Sequence, residues 1–127
     1  MKPTEKKTNE QEDFAEQAEK VVGSDVVNLE NESDGVYTHT FNKPVLYEGK
    51  TYKKLTFDFE SLSGGDSLDV ENELLAQGHA VVARSIDGAY LIRMCARACT
   101  EKVGYDIFRV MSVKDYAIIT NRSRRFF

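Results

Sequence analysis

The order of patterns along the chain constrains its fold most strongly, because all of the strand-like sequence precedes the strongest helical sequence. Residue alternation between Val36 and Phe59 is typical of strands, and apolar spacing becomes helical from Gly64 onward. A parallel sheet would need strands that alternate with helices, since crossover connections join parallel neighbours. The sequence therefore predicts an α+β fold in which helices pack on one face of a small antiparallel sheet.

Two predicted strands form a hairpin with one apolar face. Pro44 marks a bend or an edge position in the first strand, and Gly49 supplies the turn. The apolar face of the second strand consists of Leu55, Phe57 and Phe59. A lone two-stranded hairpin is marginal in water, so we expect the following helices, beginning with the first, to cover this face.

Three helices are predicted after the hairpin. They cover, approximately and in chain order, residues 64–77, 86–103 and 113–123. Capping boxes mark the starts of the first and third helices, at Ser63 with Asp66 and at Ser112 with Asp115. The second helix has the clearest apolar stripe, whose predicted core members are Leu91, Met94, Cys95 and Ala98.

The first 35 residues differ in composition from the rest of the 127-residue chain. They hold four Lys and ten Asp or Glu, a net charge of −6, whereas residues 36–127 hold 13 basic and 11 acidic residues, a net charge of +2. Residues 1–35 also contain a single aromatic residue, Phe14. We therefore predict a disordered acidic tail over residues 1–35 and one folded domain over residues 36–127.

Features that would direct the chain to a membrane or an oxidising compartment are missing from the sequence. It contains no run of 18 apolar residues, and its first residues are charged, so we expect neither a membrane span nor a secretory signal. Cys95 and Cys99 are too few and too closely spaced for a disulfide framework. We expect a cytosolic protein in which both thiols are reduced and pack as small apolar groups.

The two histidines do not predict a reactive site. Neither His39 nor His79 occurs in a motif that presents three or four metal ligands, and no nucleophile with a matching base can be named. We expect His39 on the solvent face of its strand and His79 in a linker. The sequence thus predicts a protein that is not an enzyme and has no metal site or cofactor.

The C-terminus combines basic and aromatic residues. Such residues can bind nucleic acid, although the formal net charge of −4 argues against this use, and arginines also suit the last turn of a helix. Two consecutive Phe residues need a partner surface, either another protein or the domain's own core at Leu55, Phe57 and Phe59. We predict protein contact by Tyr116, Ile118, Arg122, Arg124, Arg125, Phe126 and Phe127.

Three segments together resemble the tail assembly chaperones of long-tailed bacteriophages. They read FNKPVLYEGKTYKKLTFDFESLSGGDSLDVENEL, AYLIRMCARACT and MSVKDYAIITNRSRRFF, and the resemblance covers Phe41 to Phe127. The shared pattern is a Pro-containing strand, a Gly turn, a Gly-Asp helix start and a closing helix with arginines and aromatics. The matching positions are Phe41, Pro44, Gly49, Leu55, Phe57, Asp66, Asp115 and Phe126. The acidic extension before Val36 departs from this pattern.

The resemblance implies a non-enzymatic function in tail assembly. Members of this family bind the long helical tape-measure protein, keep it soluble and help to recruit tail-tube subunits. They act in the host cytoplasm, are absent from the mature virion and commonly occur in two lengths through a translational frameshift. For this chain, the resemblance makes the tape-measure protein and the tail-tube protein the expected partners, and self-association is possible.

Two faces are candidates for contact with a client helix. One is the hairpin side that carries Tyr37, Tyr47 and Tyr52, and the other is the C-terminal side of the third helix. Two further classes of function stay open. The chain could be a permanent tail component, or a small regulator that binds nucleic acid through its C-terminal arginines.

Overall fold

The computed structural model describes residues 35–127, and the predicted tail over residues 1–35 lies outside them except for Gly35. A two-stranded antiparallel sheet precedes three helices, and this segregation confirms the predicted α+β class. The elements are β1 (Val36–Tyr47), β2 (Lys50–Asp58), α1 (Gly64–Ala76), α2 (Gly88–Ala98) and α3 (Val113–Ser123). Short 3-10 turns occur at Phe59–Ser61, Arg84–Ile86, Tyr105–Arg109 and Arg124–Phe126.

The hairpin of β1 and β2 is antiparallel and closes through a two-residue turn. Glu48 and Gly49 both have positive φ, at 52° and 79°, as the twist of a tight hairpin favours. The pairing register shifts between Thr40 and Val45, and this irregular stretch contains Pro44. Since proline lacks an N–H to donate, it is tolerated at such a bulge. The predicted turn and the predicted irregularity are both confirmed.

The apolar face of β2 lies at the centre of the main core. Leu55 and Phe57 are fully buried beneath α2, α3 and the Tyr105–Arg109 turn. The first helix does not provide the main cover that we expected. Instead, α1 packs on α2, where a second cluster consists of Val70, Leu74, Tyr90, Leu91 and Met94. All the predicted core residues are buried, namely Leu55, Phe57, Phe59, Leu91, Met94, Cys95 and Ala98.

The second helix is shorter than predicted, because α2 ends at Ala98 rather than Val103. Its C-terminal neighbour Cys99 adopts an extended conformation and forms a β-bridge with Phe57. The N–H of Thr100 then donates to the carbonyl of Thr56 at 2.8 Å. These tertiary hydrogen bonds to the edge of β2 replace the helical ones that the apolar periodicity favoured.

The predicted starts of α1 and α3 are confirmed. At α1, the Ser63 N–H donates to Asp66 Oδ2 at 2.8 Å, and the Asp66 N–H donates to Ser63 Oγ at 3.3 Å. At α3, the Asp115 N–H donates to Ser112 Oγ at 3.1 Å. The Asp115 carboxylate, however, also reaches the hairpin, which gives it a role in tertiary structure.

Candidate protein-binding groove at the C-terminus

The chain folds back on itself after α3. The 3-10 turn at Arg124–Phe126 brings the ring of Phe126 onto that of Phe59, with centroids 4.8 Å apart and an interplanar angle of 20°. Phe127 meets Phe59 edge to face at 6.4 Å and Tyr90 edge to face at 5.6 Å. The two terminal aromatics therefore do pack on the domain's own core, but Phe126 keeps 42% of its surface exposed.

A cavity of about 390 Å³ opens beside these rings, and we call it the aromatic groove. Its volume falls within the range of about 300–1,000 Å³ that is usual for binding pockets. Its lining combines four aromatic residues, Leu62 and Met94 with two serines and Arg84, and Phe126 is the most exposed of the aromatic residues. The groove is lined by Phe59, Leu62, Ser63, Ser67, Arg84, Tyr90, Met94, Phe126 and Phe127.

One wall of the aromatic groove is held by a short polar chain. The hydroxyls of Tyr90 and Ser67 lie 2.6 Å apart, and Ser67 Oγ donates to Glu71 Oε2 at 3.3 Å. Arg84 Nη1 lies 3.4 Å from the same carboxylate oxygen, while 56% of the Arg84 side chain stays exposed. These bonds fix α1 against α2 and leave a guanidinium at the rim.

Two more arginines stand next to the groove. Arg124 and Arg125 are exposed and immediately precede Phe126. The Arg84–Ile86 turn packs against the Arg124–Phe126 turn, so the three cationic residues occupy neighbouring turns at one end of the aromatic groove. An aromatic surface with an arginine rim is the composition that protein-binding hot spots favour.

The other predicted contact residues lie elsewhere. The Arg122 guanidinium sits over the ring of Tyr37, 4.3 Å from its centroid, and is partly buried there. Tyr116 and Ile118 are also partly buried and pack against the core beneath the hairpin. Of the seven residues, only Phe126 and Phe127 line the groove, and the exposed Arg124 and Arg125 precede Phe126 in the chain without lining it.

The proposed docking face on the hairpin is wrong for two of its three tyrosines. Tyr37 and Tyr47 are buried, and Tyr52 is partly buried. The Tyr47 hydroxyl donates to Asp106 Oδ1 at 2.5 Å, and this bond, followed by burial, raises the pKa of Tyr47 to about 12. Tyr37 and Tyr47 are inaccessible because α3 and the segment before it lie over this face.

The expected position of His39 on the solvent face is wrong. Only 4% of His39 is exposed, and its Nε2 lies 2.8 Å from Asp115 Oδ1. On the other side of the ring, the Tyr37 hydroxyl lies 2.8 Å from Nδ1. The alternation of β1 carried a signal for this burial, because His39 shares its face with Tyr37 and Phe41, which are both buried.

The carboxylate of Asp115 is fully buried and joins α3 to β1. Burial by itself raises its pKa, but hydrogen bonds from His39, the Asn42 N–H and the Ser112 hydroxyl outweigh burial and hold the pKa below its ordinary value of 3.8. The pair of His39 and Asp115 has too little exposure for a substrate to reach it. Its effect is to fix the start of α3 and so to position the C-terminal turn.

The two thiols and the second histidine of residues 35–127 do not line the aromatic groove. Cys95 and Cys99 are buried free thiols, and burial is the main cause that raises both pKa values to about 12. Across these described residues, no group of three or more His, Cys, Asp or Glu side chains is placed to hold a metal ion. His79 is exposed and contacts Asp87 at 2.7 Å.

None of the helices between residues 35 and 127 has the length and apolar character required to span a bilayer. Comparisons with protein families, curated proteins and solved structures found no match for this chain. The aromatic groove is therefore interpreted from its own geometry and chemistry. Its lining contains aromatic rings, serine hydroxyls and the Arg84 guanidinium.

Proposed function

We propose that the chain is a non-enzymatic tail assembly chaperone of a long-tailed bacteriophage. It binds the tape-measure protein through the aromatic groove and helps to recruit tail-tube subunits. The observation that carries the proposal is that Phe126 keeps 42% of its surface exposed beside a cavity of about 390 Å³. In support, the family pattern that the sequence resembles also ends in a helix with arginines and aromatics.

The chemistry of the aromatic groove suits an amphipathic client helix. Phe126, which is 42% exposed, and the partly buried Phe127 and Leu62 offer apolar surface for the large side chains that such a helix presents. Arg84, Arg124 and Arg125 can pair with carboxylates that flank the apolar stripe of the client. A long helical protein that waits for assembly exposes many such stripes, and covering them prevents its aggregation.

The charge of the chain supports the same function. Residues 1–35 carry a net charge of −6, and a high net charge keeps a complex soluble. A holdase needs both an apolar contact surface and such a charge. We propose that the protein acts in the host cytoplasm and leaves before the virion is complete.

The proposal is tested by co-expressing the chain with its tape-measure protein and measuring the soluble fraction of the client. Phe126→Ser should reduce this fraction, because it removes the exposed ring of the groove. Arg124→Glu combined with Arg125→Glu should also reduce it, while changing stability by less than about 0.5 kcal/mol, as is usual for surface charges. Val113→Ser is the matched control, since Val113 is 79% exposed and does not line the groove.

Far-UV circular dichroism and urea unfolding establish that each variant is folded before the client assay is read. A client that stays equally soluble with the Phe126 variant and with the arginine variant would overturn the proposed function. Fractionation of purified particles tests the remaining part, because a permanent tail component would be found in virions and an assembly factor only in lysates.

The exposed arginines beside Phe126 also favour a second candidate function, the binding of single-stranded nucleic acid. Such binding depends steeply on salt, because phosphate contacts release counterions. A labelled oligonucleotide titrated at several salt concentrations tests it. A linear fall in the logarithm of affinity against the logarithm of salt, lost with Arg124→Glu and Arg125→Glu, would support this alternative.

A further inference from the structure

Helix α1 carries apolar residues on two opposite faces. Its inner face packs on α2 through Val70 and Leu74, which are buried. Its outer face presents Leu68 and Leu75, each 60% exposed. These two leucines are seven residues apart, so they lie two turns apart on the same side of the helix. The outer face therefore has an apolar stripe.

Carboxylates border this stripe. Helix α1 contains four acidic residues and neither Lys nor Arg. Asp69 follows Leu68 directly, with 67% of its side chain exposed, and Glu71 borders the opposite margin with 31% exposed. Asp69 Oδ2 lies 3.8 Å from Arg97 Nη1, and Glu71 Oε2 lies 3.4 Å from Arg84 Nη1. The outer face of α1 is thus an apolar stripe with acidic margins, of which Asp69 is the more exposed and has the longer ion-pair distance.

The two complementary surfaces adjoin each other on one molecule. Ser63 and Ser67, at the start of α1, line the aromatic groove, and Leu68 is the next residue of the helix. A two-fold axis beside this corner would let each copy insert its α1 into the groove of the other. Such a contact is isologous and closes after two copies.

We propose that the outer face of α1 docks in the aromatic groove of a second copy of this chain, so that the free protein forms a reciprocal dimer. Leu68 and Leu75 meet the exposed part of Phe126, and the exposed carboxylate of Asp69 meets Arg124 and Arg125. The regulatory consequence rests on the proposed function: the second copy occupies the groove until a client helix competes for it and separates the dimer.

Sedimentation velocity of the full chain over a wide concentration series tests the dimer without any client. The parent protein should change from monomer to dimer as concentration rises. Leu68→Glu should weaken the dimer at least about tenfold, the equivalent of about 1.4 kcal/mol. Val113→Glu is the matched control and should dimerise like the parent, because this exposed residue belongs to neither surface.

A charge exchange tests which groups face each other. Asp69→Arg alone and Arg124→Glu with Arg125→Glu alone should each weaken self-association. An equimolar mixture of the two variants should form a heterodimer again, because the reversed charges then match across one of the two contacts. Failure of the mixture to associate better than either variant would overturn the proposed pairing.

Three other outcomes would also overturn the dimer: a parent that is monomeric throughout, a Leu68→Glu variant with the affinity of the parent, or assembly that continues beyond two copies. The client assay is read separately. Leu68→Glu should keep the client soluble at least as well as the parent, since the groove itself is intact. A monomeric parent whose client solubility depends on Phe126 would refute the dimer and support the proposed function.

Discussion

The fold contains two His–Asp pairs that differ in burial but hardly in length. His39 lies 2.8 Å from Asp115, with 4% and 0% of the side chains exposed, whereas His79 lies 2.7 Å from Asp87, with 46% and 13% exposed. We predict that His39→Ala lowers the free energy of unfolding far more than His79→Ala does. The exposed pair serves as an internal control of the same chemistry.

The expected magnitudes follow from what each substitution leaves behind. Removing the partner of a buried charged group costs about 3–5 kcal/mol, because the charge, here that of the Asp115 carboxylate, stays buried. After His39→Ala, the Asp115 carboxylate would keep its bonds to Asn42 and Ser112 but lose its bond to the imidazole. An exposed pair contributes about 0.2–1 kcal/mol, so His79→Ala should have a small effect. A typical domain is stable by only about 5–15 kcal/mol, which makes the first loss easy to measure.

Urea unfolding at neutral pH provides the assay, and the slope of the unfolding free energy against urea concentration should be the same for the parent and all variants. A double-mutant cycle with Asp115→Ala separates the interaction from the cavity that each alanine leaves, and the double variant should lose less than the sum of the single losses. Losses for His39→Ala and His79→Ala that agree within about 0.5 kcal/mol would refute the argument from burial.

The same pair predicts an acid limb of stability. Because the folded-state pKa of Asp115 is lowered, its contribution is fully present above the ordinary value of 3.8 and is lost as pH falls through the folded-state value. Asp115→Asn should therefore flatten the fall in stability at low pH. An unchanged acid limb in this variant would show that other carboxylates dominate it.

Three further predictions concern the core. Tyr47 has a folded-state pKa of about 12 against an ordinary value of 10.0. Its contribution to stability is therefore present below pH 10.0 and is lost as pH rises toward 12. Tyr47→Phe should flatten this alkaline loss of stability in thermal melts. Cys95 and Cys99 should resist thiol reagents in the native protein at neutral pH and react in urea. The thiolate is the reactive form, and burial suppresses it. Rapid labelling of either cysteine in the native protein would contradict this prediction. Leu91→Ala should cost about 2–5 kcal/mol in urea unfolding, since 1% of Leu91 is exposed, and an unchanged midpoint would place it outside the core.

Local signals account for the elements that the sequence predicts well. The hairpin turn depends on Gly49 and its positive φ, and the start of α1 depends on the reciprocal bonds of Ser63 and Asp66. These interactions join residues that are at most a few positions apart. They can therefore be inferred from spacing alone, as can the apolar stripe of α2 that contains Leu91.

The candidate site was predictable only in part. The occurrence of arginines next to Phe126 and Phe127 in the sequence indicated that the C-terminus is a contact region, because large aromatic side chains need a surface to pack on. Spacing could not reveal that Tyr90 and Arg84 would line the same cavity, since they come from other parts of the chain. Residue spacing also could not distinguish Arg122, which packs on Tyr37 of the hairpin, from Arg124 and Arg125, which stay exposed.

The sequence by itself determined the α+β class, the order of strands before helices, the starts of α1 and α3 and the burial of seven apolar residues on β2, on the turn after it and on α2. The tertiary structure decided where α2 stops, since a bridge between Cys99 and Phe57 ends it. It also decided that His39 is buried, through a partner 76 positions away. The physical reason is the sequence separation of the interacting residues. Caps and turns are made by neighbours in sequence, whereas bridges, buried side-chain pairs and grooves exist only after distant segments have packed.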